Sequence, residues 1–391
     1  MPAKLDRDRF FWTIALQTVA VNFFLGGFGP ALPLLRADQG TSLTIAGLHG
    51  TAMGVAAIAA GLSNPWLTHR FGRANVGWIG LWIFSFGLIA ISVLQPVQFT
   101  ILAAFFTGFG TSTVINSFVT SLNSHYGARA PLAVAQANGI ASIGYVLGTL
   151  TIGTIAQSAP DFWRISLLAA LPLAFYLYFF RRDKTIEAHV PTEDGPQGGK
   201  LSKTFWITWF GFIATISSEF AIAFWAAALV RDRTDATAAI STIAIFALGT
   251  GMGLGRFFGG MVLHRLSLDR QLLLILVAQL VGFMGLWLSH NLAISLAMLF
   301  LIGLGISMQF ALTSLRLISH SDGRPDLAIG KSSFAAGIAI GAAPFLLGVL
   351  GDLYGISRAY MMVPVLIMLA MTAVLVAPAK MDQEVLDDLQ I

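Results

Sequence analysis

A single carboxylate lies in the middle of a long apolar run, the stretch "TISSEFAIAFW" from Thr215 to Trp225. Glu219 directly follows Ser217 and Ser218 in this run. An ionised carboxylate surrounded by hydrocarbon is costly unless it faces water or an opposite charge, so such a residue is a candidate for function. The chemistry that it suggests is the binding and release of a proton near neutral pH. The alternative is a protonated side chain that only joins two helices through a hydrogen bond.

A second charge lies inside another apolar run, "GLGRFFGG" from Gly253 to Gly260. Arg256 is separated from the next polar turn by about two helical turns. Its long side chain can reach that interface, which would give it a structural or gating role. It can instead bind an anionic substrate or the carboxylate of Glu219.

Three apolar runs also carry uncharged polar side chains. These side chains are Gln17 and Asn22 in one run, Ser112, Asn116 and Thr120 in another, and Gln309 and Thr313, followed by Arg316, in the third. Spacings of three and four residues put the members of the last two sets on one helix face. Such stripes can bind a polar solute, or they can join helices to one another. Two aromatic residues, Tyr145 and Trp225, can stack on a ring, although aromatic packing alone also explains them.

Several other kinds of chemistry have no motif in the sequence. Cysteine is absent, which excludes a disulfide, a thiol nucleophile and a cysteine-ligated metal. We find no Gly-x-x-x-x-Gly-Lys-Ser/Thr loop for a nucleotide phosphate, and no cluster of His, Asp and Glu with the spacing of a metal site. We therefore expect a protein that is not an enzyme and that uses no cofactor.

The composition of the chain indicates what surrounds these polar residues. Hydrophobic residues make up 56% of the 391 residues and charged residues 11%, against about 25% charged in an ordinary soluble domain. One soluble core could not bury so much apolar surface, so lipid must surround much of the chain. The formal net charge is only +4, which does not suggest a nucleic-acid partner.

Twelve stretches are long and apolar enough to cross a membrane as helices, which takes about 20 residues each. Their bounds are roughly 10–35, 44–68, 74–95, 98–121, 130–156, 162–180, 205–229, 238–263, 270–289, 291–317, 329–350 and 357–378. A polar segment with charges, Pro and Gly follows the sixth stretch and predicts a soluble linker. We therefore predict a six-helix half at 1–180, a linker at 181–204 and a second six-helix half at 205–391, which ends in a short tail.

The basic residues predict the orientation of these spans. Lys and Arg concentrate in cytoplasmic loops, and most of the 23 in this chain share one side when the N-terminus is placed in the cytoplasm. Both termini and the linker are therefore expected to be cytoplasmic. The first span is too long for the core of a signal peptide and no cleavage pattern follows it, so we expect it to be retained. Pro30 and Pro33 should break or bend its outer end.

The same short polar motif occurs twice in the sequence. His69-Arg70 and His264-Arg265 each follow a hydrophobic run, at a separation of 195 residues (264 − 69). Other pairs match at this shift, namely Gly108 and Gly303, Gly110 and Gly305, Ser112 and Ser307, and His125 and His320. Because each half holds an even number of spans, the halves must run parallel, related by an axis along the membrane normal. The sequence thus predicts an all-α membrane protein with a duplicated six-helix unit.

Twelve spans in two halves, a cytoplasmic central linker and a short basic turn after spans 2 and 8 resemble the major facilitator superfamily over essentially the whole chain. The signature turn of that family is Gly-x-Leu-x-Asp-Arg-x-Gly-Arg-Arg/Lys. The residues that match it here are Leu67, Arg70, Gly72 and Arg73. The residues that depart from it are Pro65 for the first glycine, His69 for the acid and Ala74 for the last base. Ala104 stands where many antiporters of the family carry an arginine, which weakens a drug/proton antiporter interpretation.

The resemblance implies roles for the polar residues. In the family, the acid of the signature turn helps to latch one closed state against the start of helix 11, so His69 would weaken that latch or make it pH-dependent. The implied gating residues are His69, Arg70, Gly72, Arg73, Arg256, His264, Arg265 and Arg316. Helices 1, 4, 7 and 10 line the central cavity in the family. The implied substrate-binding residues are Gln17, Asn22, Ser112, Asn116, Tyr145, Ser217, Trp225, Gln309 and Thr313, with Glu219 as the proton-coupling residue.

We therefore predict a secondary active transporter of a bacterial inner membrane, monomeric and surrounded by lipid. It would move a small polar or amphipathic organic solute by alternating access, with the substrate between the halves and protons coupled through Glu219. An uncoupled facilitator, in which Glu219 only binds the substrate, is one alternative. A drug or lipid exporter is another, and a lipid exporter would need a lateral apolar opening. A receptor is disfavoured because the tails and the linker are short.

Overall fold

The computed structural model describes residues 5–127, 130–179, 199–263 and 265–379, which form a bundle of long helices. Within these ranges, twelve helical stretches are long and apolar enough to cross a membrane, which confirms the predicted number of spans. The helices of spans 1–6 are Arg9–Gln39, Leu43–Phe71, Arg73–Val93, Val97–Tyr126, Ala130–Ser158 and, in two pieces, Trp163–Leu167 and Leu171–Phe179. The helices of spans 7–12 are Lys203–Thr234, Ala238–Leu263, Leu268–Leu288, the pair Leu292–Ile306 and Gln309–Ser319, Pro325–Tyr354, and the pair Ile356–Ala359 and Met362–Val376.

The predicted duplication is visible in where the helices begin. Spans 2 to 5 begin at Leu43, Arg73, Val97 and Ala130, and spans 8 to 11 begin at Ala238, Leu268, Leu292 and Pro325. Each start in the second set lies 195 residues after its counterpart (238 − 43, 268 − 73, 292 − 97 and 325 − 130). The prediction of an all-α fold with two parallel six-helix halves is therefore confirmed. Most of the predicted linker, His264 and the tail after residue 379 lie outside the described residues.

The bundle has two faces, which we name by the ends of the chain. An even number of spans brings the start of span 1 and the end of span 12 to the same side, which we call the termini face. It carries Asp8, which caps the first helix by accepting a hydrogen bond from Phe11 N–H. The other side is the opposite face, where span 1 ends at Gly40 in a left-handed conformation, with φ 59°.

The two prolines of span 1 do not break the helix, which excludes the first of the two outcomes expected of them, a break or a bend. Helix Arg9–Gln39 continues through Pro30 and Pro33. A proline leaves the carbonyl four residues earlier without its helical donor, which for Pro30 is the carbonyl of Gly26. Thr149 Oγ1 of span 5 donates a hydrogen bond of 2.9 Å to this carbonyl. A neighbouring helix therefore satisfies the group that the proline leaves open, as bilayer interiors require.

Span 10 was expected to be one helix over 291–317 and is instead interrupted. Helix Leu292–Ile306 ends before Ser307 and Met308, and helix Gln309–Ser319 begins after them. The stretch carries no proline, so local sequence does not mark the interruption. Irregular backbone inside a membrane is tolerated where protein groups surround it, and span 8 supplies such groups, as described below.

The two halves contact one another along spans 2 and 11, spans 5 and 8, and spans 1 and 7. Glycines lie along the contact of spans 2 and 11, which we call the glycine seam: Gly47, Gly50 and Gly54 with Gly337, Gly341 and Gly348. A Cβ added to Gly54 would collide with the backbone of Gly341. Thr51 Oγ1 also donates a hydrogen bond of 2.9 Å to Gly341 O. Small residues allow this close backbone approach, which is how helices associate in lipid.

Candidate functional site

The span 7 helix presents Glu219 to the interior of the bundle. Ser217 and Ser218 beside it are buried and Glu219 itself is half-buried. The helix contacts spans 1, 8, 10, 11 and 12, so protein surrounds most of its length. Its apolar face packs through fully buried side chains such as Phe212 and Trp225. Glu219 therefore lies on a helix that packs against spans of both halves.

Three polar side chains from three spans act on one another at this position. Arg256 of span 8 interacts electrostatically with both Glu219 of span 7 and Tyr145 of span 5. The Tyr145 ring lies against span 8, since a Cβ on Gly249 would be 2.9 Å from its Cδ1 atom. Spans 5 and 8 belong to different halves, so this cluster, which we call the charge cluster, crosses between them.

Arg256 and Glu219 do not touch. Among the described residues, no Arg256 nitrogen lies within 4.0 Å of a Glu219 oxygen. The guanidinium instead directs Nε at Ser307 O, 3.4 Å away, in the interruption of span 10. Gly255 allows this approach, because a Cβ there would collide with Ser307 Oγ. A guanidinium and a carboxylate thus influence each other electrostatically without direct contact.

A chain of buried hydrogen bonds, which we call the amide chain, starts at Ser218, next to Glu219, and joins spans 7, 9 and 10. Gln309 Nε2 of span 10 donates to Gln279 Oε1 of span 9 at 2.7 Å, and Gln279 Nε2 donates to Ser218 Oγ of span 7 at 3.0 Å. Ser218 Oγ donates to Thr215 O at 2.7 Å. Thr313 Oγ1 donates to Gln309 O at 2.5 Å. Gln309 and Thr313, predicted to bind substrate, therefore make hydrogen bonds between and within helices.

The remaining predicted substrate residues differ in how accessible they are. Asn22, Ser112 and Asn116 of spans 1 and 4 are half-buried, and Asn22 Nδ2 donates to Thr18 O at 2.9 Å within its own helix. Gln17 is buried against span 3, where a Cβ on Gly77 would be 3.3 Å from its Oε1 atom. Trp225 is fully buried and its Nε1 donates to Pro344 O at 2.9 Å, which joins spans 7 and 11.

Most of the described residues that were predicted to gate lie on the termini face, whereas Arg256 belongs to the charge cluster. His69, Arg70 and Arg265 are exposed, and Gly72 ends span 2 with φ 79°, a conformation that favours glycine. The side chain of Arg73 and all of His264 lie outside the described atoms.

Arg316 is buried on this face and joins three spans of the second half. Its Nε donates to Asp269 Oδ1 at 2.7 Å and its guanidinium donates to Ala377 O at 2.5 Å. Asp269 Oδ2 also accepts from Ala379 N–H at 2.8 Å. The contacts of Arg316 thus join spans 9, 10 and 12, and all of these spans belong to one half.

Sequence reasoning did not single out Gln279 or His49. Gln279 is the lone amide in "LVAQLVGF", and a polar residue in such a run is a signal that could have been used. His49 of span 2 is buried; its Nδ1 lies 3.1 Å from Ala46 O and its Nε2 lies 2.9 Å from Thr100 Oγ1. Nothing in the local pattern around His49 marks Thr100 as its partner.

The chain is similar to known transporters over most of its length. The cyanate transport protein CynX of Escherichia coli (strain K12) is 26% identical over 355 residues, which cover 88% of this chain and 90% of that protein. The crystal structure of a bacterial homolog to the human lysosomal transporter Spinster, in an inward-facing and occupied conformation, has the same fold. It matches with a TM-score of 0.70 at 13% identity and covers 96% of this chain and 97% of that one. The model of the Major Facilitator Superfamily matches residues 14–330, so the chain belongs to this family of multi-pass membrane transporters.

Proposed function

We propose that the protein is a proton-coupled secondary transporter of a small anionic solute, which works by alternating access. The observation that carries the proposal is the charge cluster of Tyr145, Glu219 and Arg256. Its groups come from spans 5, 7 and 8 and act on one another without direct contact between the two charges. A site that takes residues from both halves is affected whenever the halves move relative to each other.

The charges of the cluster link the proton to the solute. A guanidinium inside a membrane protein needs a compensating charge, and ionised Glu219 supplies one. When Glu219 takes up a proton, Arg256 loses that compensation and attracts an anion instead. The Tyr145 hydroxyl can donate a hydrogen bond to the same anion. Proton and anion therefore bind together and leave together, which is symport.

The charge of Arg256 and the name of one relative support the proposed class of solute. Arg256 is a cation inside the bundle, which favours an anionic solute. The similar protein from Escherichia coli is named as a cyanate transport protein, and cyanate is a small anion. Both observations narrow the solute class, which the sequence alone left as small, polar or amphipathic.

The setting of the transporter is part of the proposal. We infer that the halves 1–180 and 205–391 move about the linker 181–204, and that the termini face is cytoplasmic, because Lys and Arg concentrate there. The protein would act as a monomer in a bacterial inner membrane. Half-buried Asn22, Ser112 and Asn116 would supply the polar wall of the first half facing the charge cluster.

Uptake by purified protein in liposomes tests this function. Radiolabelled cyanate is supplied outside, with or without a proton gradient directed inward, and we expect the gradient to increase uptake by the wild type. Glu219→Gln should still take up cyanate without a gradient, since Arg256 keeps its charge, but its uptake should not increase when the proton gradient is applied. Arg256→Ala should lower cyanate uptake by about tenfold or more, both with and without the gradient, because it removes a charged hydrogen-bond donor. Asp161→Asn, which neutralises an exposed carboxylate on the opposite face, is the matched control.

Each other outcome has a definite meaning. A Glu219→Gln variant that responds to the gradient as the wild type does would exclude Glu219 as the coupling group. Wild-type uptake that ignores the gradient would favour the uncoupled facilitator. Failure to transport cyanate, formate or nitrite under any gradient would exclude small anions as the solute. It would favour a larger organic solute instead.

A further inference from the structure

A carboxylate joins the two halves at the opposite face. Asp352, near the end of span 11, accepts hydrogen bonds from the backbone N–H groups of Leu43 and Thr44 at the start of span 2. The distances are 2.9 Å to Leu43 N, from Oδ1, and 2.7 Å to Thr44 N, from Oδ2. Both oxygens of the carboxylate are therefore used in contacts to the other half.

The start of span 2 favours a negative charge. The first N–H groups of a helix have no partner within the helix, and they carry a partial positive charge. Ser42 satisfies one of them, since its Oγ accepts from Ile45 N–H, and its carbonyl accepts from Ala46 N–H in the first regular bond of the helix. Asp352 satisfies those of Leu43 and Thr44. The first turn of a helix in one half is therefore completed by a residue of the other half.

This contact lies at the outer end of the glycine seam. Next to it, a Cβ on Gly348 of span 11 would be 2.6 Å from Leu43 O, and one on Gly47 of span 2 would be 3.0 Å from Pro344 O. Deeper in the bundle, Thr51 donates to Gly341 O. Parting spans 2 and 11 at the opposite face must therefore break the Asp352 contacts, which leaves a carboxylate and two N–H groups to water.

We propose that Asp352 and the first turn of span 2 form a latch that stabilises the state closed at the opposite face. The signature turn on the termini face carries His69 where the family has an acid that serves such a purpose there. In this chain, the carboxylate that caps a helix across the halves is found at the other end of the same two spans. The latch acts on the conformational equilibrium and does not depend on which solute is carried or on proton coupling.

The expected size of the effect follows from the kind of bond. Hydrogen bonds to a charged group contribute more than neutral ones, and the loss of the charge should change the ratio of closed to open states by about tenfold. Asp352→Asn keeps the shape of the side chain and one acceptor oxygen but removes the charge and the second acceptor.

Distances between two spin labels on the opposite face measure this ratio. The chain contains no cysteine, so Gln95→Cys in the first half and Leu288→Cys in the second can be labelled without removing others; Leu288 is 63% exposed. The wild type should give mainly one short distance, and Asp352→Asn should gain a longer one. Asp232→Asn is the matched control, because Asp232 accepts a hydrogen bond of 2.7 Å from Ser357 within one half. It should leave the distances unchanged.

A second pair of variants removes the donor instead of the acceptor. Leu43→Pro deletes one N–H group at the first helical position, where proline is well tolerated, and Leu43→Ala keeps the N–H group while shortening the side chain. Leu43→Pro should lengthen the distances more than Leu43→Ala does. Monodisperse elution of each variant shows that it folds. If Asp352→Asn and Leu43→Pro both fold and both keep the wild-type distances, the latch does not exist.

Discussion

Equivalent junctions of three helices are polar in the second half and apolar in the first. Where spans 7, 9 and 10 meet, Ser218, Gln279 and Gln309 form the amide chain. The residues 195 positions earlier, in spans 1, 3 and 4, are Phe23, Phe84 and Val114, which are buried in one apolar cluster. The duplicated framework therefore fixes where helices lie but leaves the chemistry of each junction free to differ.

The difference extends to the charge cluster and to span 10. Glu219 and Arg256 correspond at this shift to Phe24 and Gly61, neither of which can ionise. Span 4 is one helix, Val97–Tyr126, whereas span 10 is interrupted at the carbonyl that Arg256 approaches. At these equivalent positions the first half is apolar, and the second half holds the two charges and the irregular backbone. This asymmetry can be tested by comparing equivalent positions.

The largest difference is expected between Arg316 and its counterpart, Ser121 (316 − 195). Arg316→Gln breaks a buried ion pair with Asp269 and should lower the free energy of unfolding by about 3–5 kcal/mol, because the carboxylate is left uncompensated. Ser121→Ala should change it little, since Ser121 Oγ is buried without a hydrogen-bond partner. Thermal unfolding of both variants in the same detergent makes the comparison. Equal losses of stability would contradict the role of Arg316 in joining spans 9, 10 and 12.

Variants of the amide chain should lose less stability than Arg316→Gln, and their losses should not be additive. Gln279→Leu and Gln309→Leu should each cost about 1–3 kcal/mol of stability, because each leaves a buried amide of the other residue unpaired. The double variant should cost less than the sum, as expected for residues in contact. Gln271→Leu is the control, since this buried amide of the same span donates to Leu266 O at 2.8 Å and should be additive with Gln309→Leu. If the losses of stability caused by Gln279→Leu and Gln309→Leu were additive, the two side chains would not be coupled through the amide chain.

The smallest effect is expected on the termini face, where Asp8 accepts hydrogen bonds from Phe11 N–H, His125 and Tyr126. Partial burial raises the pKa of Asp8, but these hydrogen bonds outweigh burial and lower its pKa below the usual value. Because the folded-state pKa is lowered, the contribution of Asp8 is present above about pH 4 and is lost as the pH falls through the folded value.

Asp8→Asn should therefore destabilise the protein by about 1 kcal/mol or less at pH 7, since the side chain is 38% exposed and screened by solvent. Asparagine still caps a helix, so the variant removes mainly the charge. Unfolding curves from pH 3 to pH 7 should show the difference from the wild type narrowing towards low pH. Asp6→Asn, at an exposed neighbour, is the control. A difference that stays constant over this range would show that the charge of Asp8 contributes nothing.

The fold could be predicted largely from the sequence, because long apolar runs form spans in lipid whatever their neighbours are. The interruption of span 10 could not, because Arg256, which donates to its Ser307 carbonyl, and Gly255, which leaves room for the close approach, lie about 50 residues earlier in the chain. The interaction of Glu219 with Arg256 was one of the alternatives that the sequence left open. The place of Tyr145 beside them depends on how spans 5 and 8 meet, and no local pattern records that contact. The roles of these residues in transport stay predictions.

The contacts of Arg316 also carry information about the order of membrane insertion. Asp269 is synthesised 47 residues before Arg316, and Ala377 follows Arg316 by 61 residues. A carboxylate is therefore already available when this guanidinium reaches the membrane, so the charge can be compensated as soon as span 10 enters beside span 9. The hydrogen bond to Ala377 O can form only after span 12 has emerged from the ribosome. The same side chain thus binds first to a span made earlier and last to the final one, and its second contact marks the completed assembly of the second half.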